Sequence, residues 1–89
     1  MAKATLEDVD ISLQLLILSI GPEPSALKKS AETALESVRA NNLDSGFRAA
    51  IADIKKAKGV SPLTFGACRL VLKILHDAQV PGYGADLEN

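Results

Sequence analysis

The sequence predicts an all-α fold, either a compact four-helix bundle or an orthogonal four-helix cluster. Three observations carry this expectation. Apolar side chains recur at three- and four-residue steps along most of the 89 residues, which is the period of one helix face. No useful length of chain alternates with period two, so strands are not expected. Turn-forming residues then cut the chain into four helix-sized segments, approximately 5–20, 25–40, 44–58 and 62–79, followed by a loose tail over 81–89. All four belong to a single domain, and the short links between them favour antiparallel neighbours.

The first helix starts near Thr5, where Thr5 and Asp8 have the spacing of a capping box and the acidic first turn suits the helix dipole. It ends at Gly21-Pro22-Glu23-Pro24, a run that cannot continue a helix. Leu6, Val9, Leu13, Leu16 and Ile20 form one apolar stripe along it. Ile11, Leu15 and Leu18 form a second stripe, with Ile17 between the two. A helix apolar over most of its girth has to be covered over most of its girth. In so short a chain, the second stripe either completes the core or meets a partner.

The second helix opens at Pro24 or Ser25 and aligns Leu27, Ala31, Ala34, Leu35 and Val38, with Lys29, Glu32, Glu36 and Arg39 opposite. Asn41-Asn42 makes a turn, and Asp44 or Ser45 caps the third helix. Its inner face is expected to hold Phe47, Ala50, Ile51, Ile54 and Ala57. Lys55, Lys56 and Lys58 favour the negative end of its dipole, and Gly59 follows in a position that suits left-handed backbone. Asp53 is expected to pair locally with Lys56 or Lys58. Ser61-Pro62 supplies a cap and a first-turn proline to the fourth helix. There Leu63, Ala67, Leu70, Val71, Ile74 and Ala78 are expected inside, and Val80-Pro81-Gly82 terminates it.

Composition narrows the function classes. Ten basic and eleven acidic residues give a net charge of −1, so no overall field draws the chain to phosphate backbones or anionic membranes. The apolar run from Ile11 to Ile20 is about half the ~20 residues that cross a bilayer, and acidic residues precede it rather than a basic leader. A cytoplasmic protein is expected. Aromatic residues are limited to Phe47, Phe65 and Tyr83, which offer no stacking platform for single strands. A lone Cys68 excludes an internal disulfide, and with a lone His76 it excludes a Cys/His zinc site. Self-association is the remaining route to extra burial for a domain of this size.

Cys68 and His76 are the one pair that suggests a thiol nucleophile with a base. Eight residues apart on one expected helix, they stand roughly 12 Å apart along its axis, out of hydrogen-bond reach. The isolated glycines build no phosphate-binding loop. No enzymatic activity, metal or cofactor is therefore expected. Lys55, Lys56 and Lys58, with Arg69 and Lys73 on the next helix, make the sole candidate basic surface for nucleic acid.

Two stretches carry family resemblances. Gly46-Phe47-Arg48-Ala49-Ala50-Ile51-Ala52-Asp53-Ile54-Lys55-Lys56-Ala57-Lys58-Gly59-Val60-Ser61 resembles the entry helix of helix-turn-helix antitoxins of the addiction-module antidote family. Val71-Leu72-Lys73-Ile74-Leu75 is similar to that family's closing helix. The resemblance implies operator binding as a dimer and neutralisation of a toxin. The turn and recognition helix that the family places between these segments have no counterpart here. Leu43 to Phe65 loosely resembles one pentatricopeptide unit, a helix followed by Gly-Val-Ser-Pro and another helix, although such units work in tandem arrays.

The function expected from the residues is that of a small helical interaction protein, a regulator, inhibitor or adaptor. It would bind itself as a homodimer, another protein, or both, through Ile11, Leu15, Leu18, Leu72 and Leu75. The alternative is a DNA-binding regulator or antitoxin-like protein that uses the region of the third and fourth helices.

Overall fold

A computed structural model describes residues 4–78, and among them the chain forms four α-helices and no strand. These are α1 (Leu6–Ile20), α2 (Ala26–Arg39), α3 (Ser45–Lys55) and α4 (Pro62–Asp77). Backbone contacts run round a ring: α1 meets α2 and α4, α2 meets α3, and α3 meets α4 most sparingly. The diagonal pairs, α1 with α3 and α2 with α4, stay apart, which is the order of a four-helix bundle. The expected tail over 81–89, Tyr83 included, lies outside the described residues.

Each helix begins where a side chain accepts a hydrogen bond from an otherwise unpaired first-turn amide. Thr5 and Asp8 close the anticipated capping box: the Thr5 hydroxyl accepts from the Asp8 amide, and the Asp8 carboxylate accepts from the Thr5 amide at 2.9 Å. Ser25 accepts from the Lys28 amide, Asp44 from the amides of Gly46 and Phe47, and Ser61 from the Thr64 amide. Gly21 ends α1 with φ at +94°, a backbone angle that side-chain-bearing residues rarely adopt.

The core is drawn from all four helices. Val9, Leu13 and Leu16 of α1, Phe47 and Ile54 of α3 and Leu75 of α4 are fully or almost fully enclosed, with Ala31 and Ala34 letting α2 approach closely. The α1, α2 and α3 inner faces follow the expected stripes, with Leu27, Leu35 and Ala57 half-buried at their margins. Ser12 is buried as well, its hydroxyl donating to the Val9 carbonyl at 2.8 Å.

Three local expectations are corrected. The third helix stops at Lys55, because Lys56 leaves helical geometry and Ala57 hydrogen-bonds back to Ile54 in a tightened last turn. Gly59, with φ at +70°, belongs to the following loop. Asp53 accepts from the Ser30 hydroxyl at 2.9 Å and so ties α3 to α2, where a local pair with Lys56 or Lys58 was expected. Most consequentially, α4 is rotated about its axis: Thr64, Cys68, Val71, Leu72 and Leu75 face inward, while Leu63 and Leu70 are exposed. Apolar residues cover more than half of this helix, so periodicity alone leaves its rotation open. The buried Thr64 hydroxyl fixes it by donating to the Ser19 carbonyl at 3.1 Å.

Candidate interaction face

The second stripe of α1 faces away from the core. Steps of four and three residues bring Ile11, Leu15 and Leu18 into line, and their exposures are 50%, 47% and 75%. The rotation of α4 carries Leu63, 72% exposed, and Leu70 onto the same side of the molecule. Between the helices lies an open groove of about 510 Å³, walled by Leu15 and Leu18 from one side and by Leu63 and Leu70 from the other. The small residues Ala67, half-buried, and Gly66, exposed, also line it, and no heavy atom lies within 4 Å of where a Cβ on Gly66 would stand.

The polar groups at one end of this groove are already engaged. Ser19 donates to the Leu16 carbonyl, Thr64 donates to the Ser19 carbonyl, and Ser61 donates to the Thr64 hydroxyl. A relay of this kind holds the end of α1 beside the start of α4 and leaves an apolar surface for contact. An apolar face that recruits a partner by burial needs this arrangement, because orphaned polar groups at an interface cost free energy.

Of the five residues expected at an interface, Ile11, Leu15 and Leu18 are brought together on this surface. Leu72 and Leu75 are buried in the core and face the opposite way. Leu63, Leu70, Gly66 and Ala67 were missed. Leu63 and Leu70, seven residues apart, were expected on the inner face of this helix, and the structure turns that pair outward.

The cations Lys55, Lys56, Lys58, Arg69 and Lys73 are all exposed, and Lys73 is bonded to Asp77 at 3.2 Å. Phe65 is exposed on another flank of α4 and does not line the groove. A second depression, formed by Pro22, Pro24 and the first turn of α2, is crossed by Lys28, whose ammonium donates to the Pro22 carbonyl.

Cys68 is buried, and burial pushes its thiol pKa up, the reverse of what a nucleophile requires. Among the described residues, no group of three His, Cys, Asp or Glu side chains could hold a metal, and no helix is long and apolar enough to cross a membrane. Asp10 is held below the usual carboxylate range, chiefly by its hydrogen bond from Arg39 and then by one from Gln14.

Comparison with protein-family models, with curated proteins and with solved structures returns no match.

Proposed function

We propose that this protein is a small non-enzymatic interaction protein, a regulator, inhibitor or adaptor, that acts by presenting its α1/α4 face to another protein chain. The observation that carries this reading is the line of Ile11, Leu15 and Leu18 exposed beside Leu63 and Leu70 around an apolar groove. Scattered exposed leucines are ordinary, whereas the largest contiguous apolar patch on a small fold is often a functional one. Association through it is driven by removing that surface from water, at about 25 cal/mol per Å².

The double variant Leu15→Asp/Leu18→Asp tests the reading. Both side chains are substantially exposed, so the bundle should keep its helical circular dichroism. Losing the burial of two leucines removes roughly 3 kcal/mol, which weakens association about a hundredfold. Light scattering across a hundredfold concentration range, together with titration against any binding protein, reads the loss. If self-assembly and partner binding both persist at wild-type strength in the folded variant, this face is only surface.

A further inference from the structure

We infer that the occupant of the α1/α4 face is a second copy of this chain, seated so that α1 of each copy lies over α4 of the other. The inference rests on the face being an interaction surface. Size is the first ground. Five exposed side chains at roughly 100 Å² apiece give about 500 Å² of apolar surface per copy, within the range of the largest patches that monomers carry. Two such faces together bury about 1,000 Å², which is the threshold for a specific interface. An interface at this lower limit belongs with the weak, transient ones, so its dimer is sought at micromolar concentrations and above.

Charge selects the arrangement. On α1 the edge of the face away from α4 carries Glu7, with Asp10 behind it already paired to Arg39 of α2. On α4 the edge away from α1 carries Arg69 and Lys73, the latter bridged within its own helix to Asp77. The Thr64–Ser19 hydrogen bond sets the end of α1 beside the start of α4, and the extensive contact between the two has them running in opposite senses. Measured back from that bond at the standard helical rise, Glu7 stands about 18 Å along α1 and Lys73 about 14 Å along α4, within one turn of the same level. A two-fold axis lying along the groove places α1 over α4 at equal levels. Glu7 of each copy then meets Lys73 and Arg69 of the other, and symmetry makes the contact twice. An axis across the helices would lay α1 on α1 and set acidic edges together. The small residues Gly66 and Ala67 in the groove lining leave room for Leu15 and Leu18 of the second copy.

The test uses the full chain in three forms: wild type, Glu7→Lys and Lys73→Glu, each checked for helical content and followed by sedimentation velocity. Wild type should dimerise over the micromolar range. Each reversal places like charges together at both symmetry-related contacts and should weaken its own homodimer roughly fivefold. Mixed one to one, the two variants should recover wild-type dimerisation, because a heterodimer restores an opposite pair at both contacts. Loss of stability cannot mimic that recovery. Should the mixture associate no better than its components, or the single reversals change nothing, the α1-over-α4 pairing is overturned while the apolar face stands. A wild-type chain that stays monomeric at all concentrations overturns the second copy as occupant. The aspartate double variant, titrated against a different protein, then decides separately whether the face binds anything.

Discussion

At the residue scale, Thr64 decides more than any apolar side chain. Its hydroxyl is buried and bonded to the Ser19 carbonyl, which turns Cys68, Leu72 and Leu75 inward and Leu63 and Leu70 outward. An unsatisfied buried hydroxyl costs about 1–3 kcal/mol, enough to choose between two faces of similar apolarity. Cys68 reports on the outcome. Folded protein should resist iodoacetamide near pH 8 while urea-unfolded protein is fully alkylated in the same time, as read by intact mass. Burial both shields the sulfur and raises its pKa, so little thiolate is exposed. Prompt labelling of the folded chain would show that the α4 rotation is not held. In the sequence, Phe47, Ile51 and Ile54 were legible as core because one side of their helix is polar. Leu72 and Leu75 were not, since the choice rested on a hydrogen bond between residues far apart in the chain.

At the element scale, helix starts were legible and helix ends less so. Thr5, Ser25, Asp44 and Ser61 each cap by a local bond that sequence spacing announces, whereas α3 ends four residues before Gly59 in a turn that no residue type marks. Gly66 is the one glycine within α4, and glycine inside a helix costs about 0.5–1 kcal/mol relative to alanine. Open space surrounds its missing Cβ. Gly66→Ala should therefore raise stability by roughly that amount and Tm by several degrees. The added methyl would project from the groove lining into the contact face, so the same variant should also associate more weakly. Calorimetry and light scattering on one preparation separate the two effects. A lower Tm would mean that the glycine is required by packing, not by the groove.

At the scale of the whole molecule, polar ties among the described residues link neighbours round the bundle, such as Asp10 with Arg39 between α1 and α2, Ser30 with Asp53 between α2 and α3, and Thr64 with Ser19 between α4 and α1. None was legible, because each joins distant parts of the sequence, and the ring order of the helices depends on such contacts. The first of these is ionic, and its sign sets an acid dependence. Arg39 lowers the folded pKa of Asp10 beneath its unfolded value, so the stabilisation is fully present above about pH 4, the usual carboxylate range. It is lost as pH falls through the depressed folded value. Asp10→Asn removes the charge pair at every pH. Its urea midpoint should lie below that of wild type at pH 7, and the gap should narrow towards pH 2 as the wild-type carboxyl is protonated. Added salt at pH 7 should narrow the gap as well, because the Arg39 guanidinium is open to solvent and screening acts on exposed pairs. A gap equal at pH 7 and pH 2 would show that Asp10 serves by packing or through Gln14, and that the junction of α1 and α2 does not depend on charge.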